Sequence, residues 1–141
     1  MNGVGIFWPL LAQVALTLAV ALRMAVARIG ELRARHIDPQ PIATAGAAAL
    51  REDVAPADDF GNLFEVPVLF YAVCPVLYVT GTVTPLQILL AWSFVALQCA
   101  HSLIHVTTNR VTHRFVVFLL GFACVIAMWA GFALRLAHAT A

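Results

Sequence analysis

The stretch Val66–Asn109, VPVLFYAVCPVLYVTGTVTPLQILLAWSFVALQCAHSLIHVTTN, holds no Asp, Glu, Lys or Arg across 44 residues. A helix that crosses a bilayer needs about 20 mainly apolar residues. The run is too long for one span and suits two. Its centre, Thr80-Gly81-Thr82-Val83-Thr84-Pro85, interrupts the apolar pattern with glycine and proline, the residues that punctuate helices. The reading is a helix over about 60–79, a tight turn, and a helix over about 86–107.

Outward from this pair, Phe115–Leu134 is a further charge-free run, closed by Arg135, and predicts a helix over about 115–135. Gly121 and Gly131 within it would let another helix approach closely. Toward the N-terminus, Met1–Leu22 carries no charge and predicts a helix over about 5–28, ending among Arg23 to Arg28. A secretory signal would place basic residues before its apolar core. None precedes this one, so the helix is expected to stay in the mature protein. The expected fold class is all-α: one membrane domain, 1–141, built as a four-helix bundle.

Composition agrees. The chain is 62% hydrophobic and 11% charged, against about 25% charged in a soluble domain, and its mean hydropathy is +0.92. A net charge of +1 leaves no basic footprint for a nucleic acid. All 8 basic residues are arginine, which points to a GC-rich, bacterial coding sequence and hence an inner-membrane location. Cys74, Cys99 and Cys124 each lie inside an apolar run and read as small core residues, not disulfide partners.

Two connections hold most of the charge. Residues 30–59 contain Pro39, Pro41 and Pro56 and form the one sizeable polar segment; Asn109–Arg114 is a short basic link. Arg28, Arg33, Arg35, Arg51, Arg110 and Arg114 fall in or beside these connections. With four spans both lie on one side, which the arginine bias makes cytoplasmic. Both termini are then expected outside.

Ionisable residues within spans are costly and mark function by default. Glu65 lies near the start of the second helix, and Asn62, three residues earlier, shares its face. In the third helix Gln98, His101, Ser102, His105 and Asn109 form one helical stripe that leads into Arg110 and Arg114. Arg23 lies deeper in the first helix than the other arginines. Together these groups would line a polar cavity open to the cytoplasm. The plainer alternatives are a Glu–Arg pair between helices and hydrogen bonds between histidines and a neighbouring helix. His101 and His105, at i and i+4, supply two metal ligands at most without a third, so no metal is expected.

Asn62-Leu63-Phe64-Glu65-Val66-Pro67, on a four-span layout of about this length, resembles the MAPEG superfamily, the membrane-associated proteins in eicosanoid and glutathione metabolism. His101-x-x-x-His105 followed by Arg110 and Arg114 is similar to the His-x-x-x-Tyr, Arg, Arg series of its microsomal prostaglandin E synthase. Arg33 or Arg35 resembles the arginines that close the first helix there. The resemblance implies a homotrimer with glutathione held between subunits near the cytoplasmic side. It implies a glutathione-dependent transferase or peroxidase, acting on a lipophilic small molecule that arrives from the bilayer. Asn62, Glu65, His101, His105 and Arg33 would bind glutathione, and Arg114 and Arg110 would act on its sulfur. Arginines suit its carboxylates, and a cation beside the sulfur favours thiolate. Two positions depart from the pattern. Asp58 stands where glutathione-binding members carry an arginine, with Asp59 beside it, and His105 replaces the tyrosine. The superfamily also includes a non-enzymatic lipid-binding member, the five-lipoxygenase-activating protein. A non-catalytic protein of the same fold, binding lipid or a partner protein, is therefore the alternative reading.

Overall fold

The computed structural model describes residues 3–34, 55–107 and 110–140 and, within these, all side chains but those of residues 28, 31–34, 55–65, 105 and 106. Among the described residues a 3-10 turn at Gly3–Ile6 is followed by four α-helices: α1 (Phe7–Ala34), α2 (Ala55–Val79), α3 (Pro85–Thr107) and α4 (Val111–Thr140).

The turn between α2 and α3 follows from its residues. Gly81 has φ +67°, a left-handed conformation open to glycine at little steric cost. The Gly81 N–H donates to Tyr78 O at 3.1 Å and the Thr82 N–H to Leu77 O at 2.9 Å, the paired bonds of a Schellman ending. Two residues later the Thr84 hydroxyl caps α3 by accepting the Gln87 N–H at 3.2 Å, and Pro85 occupies the first helical position.

The helices alternate in direction. Phe7 at the start of α1 stacks edge-on against Tyr78 at the end of α2, with ring centroids 4.8 Å apart. Near the same end, a Cβ on Gly5 would lie 3.4 Å from Ile88 of α3. The most extensive pairing is α3 with α4, and α1 packs on both α2 and α3. Gly121 of α4 lets the Phe94 ring lie against its backbone: a Cβ there would stand 3.7 Å from it. Phe94 in turn stacks on Phe70 at 4.6 Å. Ile6, Val73, Leu77, Val125 and Met128 are buried in the same cluster. The Trp129 indole N–H ties α4 to α2 by donating to Leu69 O at 3.2 Å.

Among the described residues three helical stretches are long and apolar enough to cross a membrane: Gly3–Ala27, Pro85–Ile104 and Val111–Thr140. In α2 the apolar part is Val66–Val79. The expected four-helix membrane bundle is thus present, its second helix apolar from Val66 onward. Asp58, Asp59 and Glu65 occupy the first turns of α2, so its charge-free part is shorter than its 25 residues. Helix ends also differ from the expected 5–28, 60–79 and 115–135. α1 continues to Ala34, α2 begins at Ala55, and α4 runs from Val111 to Thr140. Charge limits what lipid accepts, not what can be helical, and Arg, Glu, Leu and Ala propagate helices well. Much of the expected 30–59 connection, residues 35–54, lies outside the described residues.

Two further expectations change. Cys74 is buried and Cys124 half-buried, but Cys99 is exposed on the outer face of α3. Arg23 is likewise exposed and does not line the interior. It stands four residues before the end of the apolar span at Ala27, where a long side chain can reach the interface from an outward face.

Gln13 of α1 is fully enclosed, and neither of its side-chain amide atoms has a hydrogen-bond partner among the described residues. A buried amide without partners costs about 1–3 kcal/mol. Gln13→Met keeps the volume and removes the polar atoms. It should raise resistance to unfolding by dodecyl sulfate in mild detergent by roughly 1 kcal/mol, the low end, because the unfolded chain lets the amide find other partners. A loss of stability would show that the amide is bonded.

Candidate functional site

α3 descends to Thr107 and α4 begins at Val111, so the end of one and the start of the other are neighbours. Here Gln98, His101 and Ser102 are all buried, on the face that α3 turns to the rest of the bundle. The expected stripe is therefore an interior feature over these three residues. The His105 side chain and Asn109 lie outside the described residues.

His101 Nδ1 lies 3.3 Å from the Arg114 backbone carbonyl. A carbonyl only accepts, so the proton of this bond sits on Nδ1. The contact clamps the end of α3 to the first turn of α4. The Phe118 ring, one turn further along α4, stands beside the imidazole at a centroid distance of 6.4 Å. Arg114 is half-buried, with its Nε wholly covered, whereas Arg110 is exposed. The Arg114 N–H donates to Arg110 O at 3.1 Å, so both arginines belong to the opening turn of α4.

That position has an electrostatic meaning. The N-terminal end of a helix carries partial positive charge, and a cation there is unfavourable by roughly 0.3–1 kcal/mol. Two arginines at one N-terminal turn act against the fold's own electrostatics and with those of an incoming anion.

The structure brings His101 and Arg114 together and sets Arg110 one turn away. The backbones of Arg33, Asn62, Glu65 and His105 lie within α1, α2 and α3, toward this same end of the bundle. Their side chains lie outside the described residues. Among the described residues no group of three metal-ligating side chains forms.

Sequence reading passed over two polar groups. One is Gln13. The other is the Thr17–Tyr71 pair, whose oxygens lie 2.8 Å apart across α1 and α2. An isolated glutamine inside a charge-free apolar run is the signal that would have marked the first.

A bundle of apolar helices with a buried polar stripe and arginines at one end defines an integral membrane protein with an anion-suited end. The profile of the MAPEG family matches residues 6–134, and the chain belongs to that family. Comparison with curated proteins and with solved structures returned no match.

Proposed function

We propose that this protein is a membrane-bound glutathione-dependent transferase or peroxidase acting on lipophilic electrophiles. The observation that carries the reading is the His101–Arg114 clamp, which fixes an arginine-bearing helix start beside a buried polar stripe, in a chain of the MAPEG family. Glutathione offers two carboxylates and a thiol, and each would find a matching group among the residues of this end. Arg110 and Arg33 would pair with carboxylates bidentately. Glu65 would receive the ligand's cationic amine, with Asn62, His101 and His105 completing the polar contacts. Arg114 would stand by the sulfur. The thiolate attacks the electrophilic carbon: a C–S bond forms, the leaving group departs with its electron pair, and the thiol proton goes to solvent. The lipophilic partner would enter from the bilayer between helices.

The proposal includes a homotrimer with the ligand between adjacent subunits, and a site facing the cytoplasm of a bacterial inner membrane. The test is conjugation of glutathione to chlorodinitrobenzene by sealed vesicles carrying the protein. Inverted vesicles should conjugate externally added glutathione, and right-side-out vesicles should not until permeabilised. The active fraction, extracted into detergent, should weigh as three copies by native mass spectrometry. Equal rates in neither orientation above protein-free vesicles would remove the enzymatic reading in favour of a lipid-binding protein of the same fold.

A further inference from the structure

At the opposite end of the bundle lies a feature that the proposed chemistry does not use. Thr82 in the α2–α3 turn and Leu134, Arg135, His138 and Ala139 near the end of α4 line an open hollow of about 590 Å³. That is in the size range of small-ligand sites.

Its depth follows from spacing. Arg114 and Arg135 bracket Phe115–Leu134, a charge-free run of 20 residues. At 1.5 Å per residue this spans about 30 Å, the thickness of a bilayer's hydrocarbon core. With Arg114 at one boundary, Arg135 stands at the other, level with the phosphates of the far leaflet.

Among the described residues no acidic side chain stands beside it. Every Asp and Glu of the sequence lies between Glu31 and Glu65, and none follows. Glu65 precedes the end of α2 by 14 residues, about 21 Å along the helix. Arg135 has no hydrogen bond or ion pair among the described residues. The His138 Nδ1–H donates to Leu134 O at 2.6 Å, which ties the ring to its own helix beside the hollow. The Thr82 hydroxyl lies 2.9 Å from that of Thr80, which itself donates to Val76 O at 2.7 Å, so the Thr82 proton is taken up within the turn. A basic residue in the last turn of a helix is favoured by the helix dipole. That accounts for positive charge here, but not for an apolar wall of Leu134 and Ala139 set against it.

We propose that this hollow binds the phosphate of an anionic phospholipid in the leaflet opposite the His101–Arg114 end. Arg135 takes the phosphate oxygens in the two-pronged geometry that guanidinium favours, beside the His138 ring, and Leu134 lies along the first carbons of an acyl chain. The assignment stands apart from the glutathione reading.

Native mass spectrometry of the purified protein, with phosphatidylglycerol and phosphatidylcholine added in equal amounts, tests it. Phosphatidylglycerol adducts should dominate. The double variant Arg135→Gln, His138→Gln should lower that preference by about fivefold or more, the worth of one basic residue near an anionic surface. Both residues are exposed, so the variant should melt as the wild type does. Inorganic phosphate without lipid should leave the melting temperature unchanged. Equal adducts on the wild type, or an unaltered preference in the variant, would overturn the proposal. So would stabilisation of the wild type alone by inorganic phosphate, which would make this a free-phosphate site.

Discussion

Replacing Arg114 with leucine should slow thiol conjugation at neutral pH by about tenfold or more. A free thiol titrates near 8.5, and the thiolate is the nucleophile. A guanidinium beside the sulfur stabilises the charged form and lowers that pKa. Removing it raises the pKa of the bound thiol, and each unit corresponds to about 1.4 kcal/mol and a tenfold change in equilibrium. The loss should therefore be greatest at neutral pH and shrink as pH rises toward the free thiol's value. Arg114→Lys keeps a charge but not the fork of donors, and should fall between the two. The ultraviolet absorbance of bound thiolate, followed against pH, reads the shift directly, and initial rates read its consequence. An unchanged titration in both Arg114→Leu and Arg110→Leu would remove the thiolate mechanism.

Arg114 is ranked ahead of Arg110 for a structural reason. Its guanidinium stem is half-buried and its backbone is held by His101, whereas Arg110 is exposed. A fixed cation in a poorly hydrated setting acts on a neighbouring charge far more strongly than one in water.

Much of the architecture was legible in the residues. The charge-free Val66–Asn109 run implied a helical hairpin, and the glycine and proline at its centre are the C-terminal and N-terminal devices that end α2 and start α3. Gly121 and Gly131, read as points of close approach, lie against Phe94 and Gln87 respectively. At Gly131 a Cβ would come within 2.8 Å of the Gln87 amide nitrogen, which donates to Met128 O at 3.2 Å.

What stayed hidden has physical causes. Hydropathy reports where lipid is tolerated, so it stopped α1 near Arg28 although the backbone runs helical to Ala34. It is also blind to azimuth in a helix that is apolar all round. Cys99 could not be told from Cys74, nor Arg23 from an interior arginine. Gln13 was passed over for the opposite reason: a single amide in a charge-free apolar run barely moves an average, yet it is fully enclosed.

The candidate site was legible in part. His101, Ser102, Gln98 and Arg114 were grouped from helical spacing and the short basic link, and the fold places their elements side by side. Spacing alone could not supply the backbone bond that joins His101 to Arg114, because that bond depends on how α4 is set against α3. The roles proposed for Asn62, Glu65, His105 and Arg33 rest on the family's pattern and on the end of the bundle toward which their backbones lie.

Glutathione binding is the claim on which the functional account stands, and a thermal melt of the purified protein in detergent reads it without any choice of electrophile. A ligand that binds the folded protein alone adds about 2.7 kcal/mol of stability at a concentration 100 times its Kd. The melting temperature should therefore climb with glutathione concentration. It should climb less with the S-methyl derivative, which cannot form a thiolate, and not at all with free glycine. The gain should shrink in Glu65→Gln, which keeps shape and hydrogen-bonding capacity but not the charge for the ligand's amine. A melting temperature that stays flat across millimolar glutathione, in a preparation shown to be folded, would contradict the account.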